Sequence, residues 1–282
     1  MDFEPLYTFS AIVAFVLGAM VGSFLNVCIS RWPKGMSIVS PRSRCPSCET
    51  PITWVDNIPL LSWLFLGAKC RRCGAVISWQ YPLVEALTAA LFLLVFLRFG
   101  FTDATIVYMA LAAALVLVTF VDLTDWTIPN EVTFPGIPLG ILCSMWVMFY
   151  GDSAMRIEGV YEDVFHGLLG AFAGGGILYL LDKISLLLLK KPGMGFGDVK
   201  LLAMLGAFFG WKGVIFILMV ASIIGSVVGI ASILIQKLRG AEEAEHYLPF
   251  GPYLSVGGLV MLFFGGPVFE WYNMYMDLPT LE

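Results

Sequence analysis

Long apolar segments recur along the whole chain and restrict it to very few folds. Eight of them cover roughly 7–29, 82–99, 103–122, 132–150, 164–189, 198–210, 213–236 and 250–270. Most approach the ~20 residues that a helix needs to cross ~30 Å of hydrocarbon. Backbone polar groups in lipid must be satisfied within their own segment, so we expect these spans to be helices. The sixth segment is short and ends at 210–213, which predicts a tilted or partly inserted helix.

The composition agrees with a membrane protein. Of 282 residues, 59% are hydrophobic and only 13% are charged, whereas a soluble domain carries about 25% charged residues. We therefore predict an all-α polytopic membrane protein with about eight transmembrane helices, held together mainly by packing. The first segment lacks a basic region before it and is followed by further spans, so we expect a membrane helix and not a cleaved signal peptide. We find no internal repeat.

The Lys and Arg residues predict which side each loop faces. With the loop between the first two segments placed inside the cell, thirteen basic residues fall at or near the inner face. Only Arg98, Arg156 and Lys212 fall outside. This bias follows the positive-inside rule and places both termini outside the cytoplasm. Basic side chains on the inner side are expected to contact lipid headgroups, and no nucleic-acid partner is expected.

The longest inner loop, 30–81, divides the chain into three predicted parts. It is too polar and too rich in Pro and Cys to cross a membrane. It therefore forms a small cytoplasmic domain between a first transmembrane helix at 1–29 and a transmembrane domain at 82–282.

Four cysteines of this loop form two CxxC pairs with 21 residues between the pairs. Each pair lies on a tight turn, and four sulfurs complete a tetrahedral zinc site. Disulfides are disfavoured in the cytoplasm, and neighbouring arginines favour the thiolate form. We therefore predict a structural zinc ion bound by Cys45, Cys48, Cys70 and Cys73. Four cysteines leave no open position for catalysis. The alternative is a set of redox-active or incidental thiols.

Two aspartates stand where an apolar segment meets its loop. Asp122 ends the third segment and Asp198 begins the sixth, both at the predicted inner face. An ionisable residue at the edge of a membrane span is costly and points to function. Two carboxylates within hydrogen-bonding reach cannot both ionise easily, so one acts as a base on water while the other, protonated, polarises a peptide carbonyl. The pattern predicts an aspartic protease.

Simpler interpretations of these acids remain open. Asp198 could cap the sixth segment, where the helix dipole favours its charge. Asp122 and Asp125 could be ordinary interfacial residues, and Asp125 is the main rival to Asp122 because it lies within one helical turn. Gly195 and Gly197, just before Asp198, favour the catalytic interpretation because they permit close backbone approach. A membrane protease must unwind its substrate, and a glycine loop that offers main-chain pairing suits that need.

In this order, the motifs resemble the bacterial bifunctional type IV prepilin leader peptidases. GxGD alone is short and is shared with presenilin-like proteases, but the ordered set is more specific and covers nearly the whole chain. The matching elements are GSFLNV at 22–27, the two CxxC pairs, YPLVE at 81–85, Asp122 with IPN at 128–130, GFGDVK at 195–200 and PFGPY at 249–253.

The resemblance implies a multi-pass enzyme of the bacterial inner membrane. It would cut the basic leader from type IV prepilins or type II secretion pseudopilins at the cytoplasmic face. The new N-terminal residue would then be N-methylated with S-adenosylmethionine. The first family aspartate precedes the Ile-Pro-Asn element by six positions, which maps to Asp122 and not to Asp125, and the second maps to Asp198. Lys200 follows in the pattern, either to tune Asp198 or as a cation that snorkels to the inner face.

Binding residues for the methyl donor are not assigned, because the sequence contains no glycine-rich cofactor loop of the usual kind. Asn26 and Glu85 are expected at the inner face. A hydrogen bond between helices accounts for Asn26 equally well, and a helix cap or an ion pair accounts for Glu85. An acidic stretch, Glu242, Glu243 and Glu245, is a candidate contact for a basic leader.

Three other functions compete with this prediction. A transporter or channel would use intramembrane acids to relay ions. A non-catalytic assembly platform of a secretion system would use the cysteine loop for docking. A GxGD protease for other membrane substrates would not need the cysteine loop.

Overall fold

A computed structural model of the protein describes residues 4–149, 165–190, 193–239 and 248–276. Within them the regular elements are helices, with two isolated β-bridges in the cysteine loop. The three glutamates proposed for leader contact lie outside the described residues. The α-helices are α1 (Glu4–Arg31), α2 (Leu61–Phe65), α3 (Gln80–Phe99), α4 (Asp103–Asp125), α5 (Asn130–Phe149), α6 (His166–Leu189), α7 (Phe196–Leu238) and α8 (Gly251–Met276).

Six of these helices are long and apolar enough to cross a membrane, namely α1, α3, α4, α6, α7 and α8. An all-helical, multi-pass membrane protein is thereby confirmed. Helix α5 is of similar length but contains Pro135 and Pro138 and is not among the six. The chain divides inside α4 into two compact units, Met1–Val121 and Asp122–Glu282.

In the first unit, α1 and α3 approach closely through two glycines one turn apart. A Cβ atom at Gly18 would lie 2.7 Å from Cα of Ala89, and one at Gly22 would lie 2.7 Å from Cα of Glu85. Small residues at this spacing let membrane helices pack backbone to backbone. One turn further along α1, Asn26 donates from Nδ2 to the carbonyl of Tyr81 at 3.0 Å, the bond between helices that the sequence offered for it.

The cysteine loop is fastened to this helix pair by a buried acid. Glu85 is buried on α3, and its Oε2 accepts a hydrogen bond from the backbone N–H of Leu60 at 2.8 Å. Leu60 is the residue before α2 and has a positive φ of 63°. Glu85 thus holds a strained turn of the loop, and within the part of the chain that the structure describes it neither caps α3 nor pairs with an arginine.

In the second unit, α7 folds back on itself at Gly210. This residue has φ 67° and ψ −178°, outside the helical region. A Cβ at Gly206 would lie 2.8 Å from Cγ2 of Val214, although residues eight apart in a straight helix are about 12 Å apart. We therefore describe α7 as a first arm, 196–209, and a second arm, 211–238. The two arms correspond to the sixth and seventh predicted segments, and the predicted break at 210–213 is a reversal.

The first arm of α7 is the centre of the second unit. Its side chains from Leu201 to Phe209 are almost all buried. Helix α6 reaches its backbone through Gly174, whose Cβ would lie 2.8 Å from the Leu202 carbonyl carbon. Helix α5 packs closely against the same arm through Gly140, whose Cβ would lie 2.8 Å from Cβ of Ala207.

Candidate active site

Asp122 lies in the last turn of α4 and is held by a main-chain donor. It is 6% exposed, and its Oδ2 accepts a hydrogen bond from the N–H of Gly251 at 3.0 Å. Gly251 is the first residue of α8. A Cβ at Gly251 would lie 2.6 Å from this same oxygen. Only a residue without a side chain leaves room for the carboxylate at that distance.

Asp198 lies in the first turn of the first arm of α7. Gly195 is the cap residue of this helix and makes no side-chain cap bond, so Asp198 is the third helical residue and not the cap. Its carboxylate is 8% exposed. Oδ2 faces the backbone of Gly195, whose Cβ would lie 3.2 Å away. Oδ1 is buried and has no hydrogen-bond partner among the described residues. The helix dipole favours a negative charge at this position.

One isoleucine connects the surroundings of the two acids. Ile128 is buried, and a Cβ at Gly197 would lie 3.0 Å from its Cβ, while one at Gly251 would lie 3.1 Å from its Cδ1. The start of α7 and the start of α8 therefore meet on this side chain. Gly251 binds the carboxylate of Asp122, and Gly197 directly precedes Asp198 in the chain, so both acids border this contact.

Asp125 occupies a different environment from Asp122. It is exposed, and its Oδ2 accepts a hydrogen bond from the hydroxyl of its neighbour Thr124 at 2.9 Å. An exposed carboxylate at the end of a helix has the character of the ordinary interfacial residue that the sequence offered as an alternative.

Lys200 connects α7 to α5. Its Nζ donates to Oδ1 of Asn130, the first residue of α5. The ammonium also lies 5.3 Å from the ring of Phe134 and 5.5 Å from the ring of Phe196, distances at which a cation is attracted to an aromatic face. Among the described residues, Lys200 makes no hydrogen bond to Asp198.

The loop before Asp198 is pinned by an acid on α6 that the sequence did not single out. Oδ1 of Asp182 accepts hydrogen bonds from the N–H groups of Gly193 at 3.1 Å and Met194 at 3.4 Å. Gly195 directly follows Met194, and α7 begins at the next residue. Asp182 thereby sets the path by which the glycine motif arrives at Asp198.

In the first unit, the four cysteines of the loop converge. The Sγ atoms of Cys45, Cys48, Cys70 and Cys73 all lie within 4.8 Å of one another. The sulfurs of Cys45 and Cys73 are 3.8 Å apart, close to the ~3.8 Å edge of a tetrahedron with Zn–S bonds of ~2.3 Å. This donor set fits a zinc ion.

The two cysteine turns are built alike, and their positions differ by 25 residues. Cys45 N–H bonds to Thr50 and Cys70 N–H to Ala75, and corresponding bonds close each turn and the flanking pair of strand-like residues. The residue after each second cysteine has a positive φ, 54° at Glu49 and 72° at Gly74. The loop thus contains a ten-residue repeat, 43–52 and 68–77, that is clear in its hydrogen bonding, whereas the side chains are identical only at the two cysteines and at the final isoleucine.

The surroundings of the thiols differ. Hydrogen bonds with the side chain and backbone of Thr50 lower the pKa of Cys48 to about 6. The backbone N–H groups of Cys73 and Arg72 lower the pKa of Cys70. For Cys73 the backbone of Ala75 favours the thiolate, but burial and the other three thiols together raise its pKa to about 11. A divalent cation at the centre would stabilise all four thiolates together.

An ion pair joins the two cysteine turns. Arg71, inside the second CxxC pair, binds both carboxylate oxygens of Asp56, with Nη2 to Oδ1 at 2.7 Å and Nε to Oδ1 at 2.9 Å. These hydrogen bonds hold the pKa of Asp56 below its usual range. The bidentate geometry fixes the segment after the first turn against the second turn.

Comparison with known proteins identifies the family. The profile of the bacterial Peptidase A24 N-terminal domain matches residues 16–99, and that of the type IV leader peptidase family matches residues 109–230. A prepilin leader peptidase/N-methyltransferase of Aeromonas salmonicida (strain A449) is 36% identical over 92% of this chain and 92% of its own length. The chain belongs to the type IV leader peptidase family.

Other relatives carry the same name. The Myxococcus xanthus protein is 42% identical over 84% of this chain and 67% of its own length. The Pseudomonas aeruginosa protein is 33% identical over 92% of each. No solved structure matches the chain. As a member of the type IV leader peptidase family, the protein is a peptidase.

Two contacts of this leader peptidase escaped the sequence analysis. Gly251 lies in the PFGPY element that contributed to the resemblance, but its hydrogen bond to Asp122 depends on a fold that brings together residues 129 positions apart. Asp182 belongs to no motif, and its only signal is an acid at the end of an apolar helix.

Proposed function

We propose that Asp122 and Asp198 are the catalytic pair of an aspartic endopeptidase that removes the basic leader from type IV prepilins or type II secretion pseudopilins. The observation that carries this proposal is the burial of Asp122 and Asp198 at the end of the second unit where α7 and α8 begin, with Oδ1 of Asp198 having no hydrogen-bond partner among the described residues. A buried carboxylate oxygen without a partner is costly, so a functional role would account for its presence.

In the proposed reaction, the pair shares one proton, because two carboxylates within hydrogen-bonding reach of each other cannot both ionise easily. The ionised member takes a proton from a water molecule, whose oxygen attacks the carbonyl carbon of the scissile peptide bond. The protonated member donates to the carbonyl oxygen. Collapse of the tetrahedral intermediate breaks the C–N bond, and the leaving nitrogen takes up a proton from the pair. Gly251 orients Asp122, and the loop with Gly195 and Gly197 gives the substrate backbone room to approach.

The cysteine loop is proposed to hold a structural zinc ion through Cys45, Cys48, Cys70 and Cys73. Four sulfurs in tetrahedral arrangement leave no position open for water. The ion would supply folding energy to a loop with little apolar core of its own. The proposed parts of the protein are then the helix at 1–29, the zinc-binding domain at 30–81 and the peptidase domain at 82–282.

Methylation of the new N-terminus is proposed from the names of the relatives, with S-adenosylmethionine as the methyl donor. A cavity of about 510 Å³ lies between the end of α1 and the first cysteine turn, and its charged lining consists of Arg31 and Arg42. The donor carries a positive sulfonium, a positive ammonium and one carboxylate, and two arginines would suit only the carboxylate. The cavity therefore lacks an acidic group for the two positive charges of the donor, and no residue is assigned to the donor.

The protein is proposed to lie in the inner membrane of a bacterium with its active site at the cytoplasmic face. The basic residues of the inner loops would then meet anionic lipid headgroups. The substrates would approach from the same side, with their leaders in the cytoplasm.

Cleavage of a purified prepilin tests the catalytic pair. Asp122→Asn and Asp198→Asn should each lower kcat about 100- to 10,000-fold, the usual contribution of a general acid or base. Asp125→Asn is the matched control and should retain activity, because Asp125 is exposed and, among the described residues, accepts a side-chain hydrogen bond only from its neighbour Thr124. Thermal melting in detergent checks that each variant is folded. Full activity in either of the first two variants would refute the aspartic mechanism, whereas no cleavage by the unaltered protein would favour a platform without catalysis.

A further inference from the structure

A shallow apolar groove runs along α6 beside the first arm of α7. It encloses about 280 Å³ and is lined by Ala171, Phe172, Gly175, Gly176, Tyr179 and Val199. Val199 directly follows Asp198 in the chain. The groove therefore begins next to the proposed catalytic pair and leads away from it along a helix that is apolar enough to cross a membrane.

Two adjacent glycines leave the floor of the groove open. A Cβ at Gly176 would meet nothing within 4 Å, and one at Gly175 would make an ordinary contact with Cβ of Ala203 at 3.4 Å. Gly174 differs, because its Cβ would lie 2.8 Å from the carbonyl carbon of Leu202. Close packing within the chain explains why residue 174 is a glycine. Among the described residues, no such contact explains the glycine at Gly176.

The walls of the groove are aromatic. Phe172 is 76% exposed and Tyr179 is 46% exposed, and seven residues apart they fall on the same face of α6. The groove is smaller than the about 300–1,000 Å³ typical of small-molecule pockets. A surface of small residues between larger ones is the usual contact of one membrane helix with another.

We propose that this groove receives an apolar helical segment of the substrate next to the scissile bond. This inference rests on the proposed peptidase function. A carboxylate pair at the edge of a bilayer meets substrates that an apolar segment holds in the membrane. With that segment seated on Gly175 and Gly176, the adjoining peptide bond passes Val199 and reaches the carboxyl groups.

Filling the groove tests the proposal. Gly176→Leu places a side chain in space that the chain itself leaves empty, so the variant should fold. For a substrate with its apolar segment, in proteoliposomes, KM should rise about ten-fold with kcat unchanged. For a short peptide with the leader and scissile bond but no apolar segment, kcat and KM should both stay unchanged. Gly229→Leu is the matched control, because the Cβ there makes an ordinary contact of 3.5 Å with Leu248 away from the groove.

An equal change for both substrates, or no change for the complete one, would overturn the groove as a substrate site. If the unaltered protein cleaves neither substrate, the proposed function is wrong. Crosslinking then still tests whether the groove binds the apolar segment. In the Asp198→Asn protein, benzoylphenylalanine in place of Phe172 should crosslink the apolar segment of the substrate several-fold more than the same group in place of Val227, which is 62% exposed on the second arm. Equal yields would assign the groove to lipid.

Discussion

At the scale of single residues, the site depends on which main-chain groups reach the carboxylates. Asp122 and Asp125 lie three positions apart within one helical turn, and spacing alone could not separate them. The fold separates them, because Asp122 is buried against Gly251 while Asp125 is exposed. The resemblance chose Asp122, but the physical reason lies in a glycine at the start of another helix.

We expect Gly251→Ala to impair catalysis in a folded protein. The variant keeps its N–H group, but the new Cβ would lie 2.6 Å from Oδ2 of Asp122 and must displace the carboxylate. A misplacement of this kind should lower kcat about 100-fold, as measured by prepilin cleavage. Gly229→Ala serves as the control and should behave as the unaltered protein. An active Gly251→Ala protein would show that the carboxylate does not need this position.

Asp182 should act as a positioning residue for the glycine motif. Asp182→Ala removes the acceptor for Gly193 and Met194, and we expect kcat to fall about 10- to 100-fold while the melting temperature in detergent changes little. Asp182→Asn keeps an oxygen at the same place and should restore most of the activity. If both variants lose the same activity, the charge of Asp182 matters and its geometry does not.

At the scale of elements, the sequence predicted the positions at which helices are interrupted better than the direction that the chain takes after an interruption. The residues 210–213 marked a break, but only the contact between Gly206 and Val214 shows that α7 reverses. Periodicity reports which side chains are apolar, and an isolated positive φ at a glycine leaves no trace in it. The repeat in the cysteine loop was missed for a related reason, since hydrogen bonds define it and few side chains do.

Substitutions at the residue after the second cysteine of each turn should change zinc affinity in opposite directions. Glu49 has a φ of 54° and its counterpart Gly74 has a φ of 72°, a region that costs a residue with a side chain about 1 kcal/mol. Glu49→Gly should therefore tighten zinc binding by about five-fold, and Gly74→Ala should weaken it by about as much. Competition with a chromogenic chelator measures both. Equal effects of the same sign would contradict the shared geometry of the turns.

At the scale of the whole molecule, the reversal of α7 bears on the topology of the membrane protein. A straight helix of 43 residues would be about 65 Å long, twice the ~30 Å of hydrocarbon. If the two arms and α5 each cross the membrane, then together with α1, α3, α4, α6 and α8 they make eight crossings, an even number. An even number returns the chain to the side on which it began, as the distribution of Lys and Arg predicts.

We expect both termini to be labelled from the same side of the membrane. Single cysteines next to each terminus, in a chain whose Cys28 and Cys143 are replaced by alanine, should react with a membrane-impermeant thiol reagent from outside the cell. A protease site placed after Val39 in the cysteine loop should be cut only from inside. Termini on opposite sides would mean that α7 or α5 does not cross as proposed.

Composition and charge were sufficient to predict the class of fold, because solvation by lipid leaves few alternatives. The cysteine cluster was predictable for a similar reason, since metal ligands need close spacing along the chain. The groove on α6 and the support of Asp122 could not be predicted, because each joins elements that are distant in sequence.

The repeated cysteine turn also affects how this loop can evolve. Residues 43–52 and 68–77 make the same hydrogen bonds with different side chains, Arg44 and Pro51 in one and Lys69 and Val76 in the other. A side chain that one turn carries is therefore one that the corresponding position of the other turn can also accommodate.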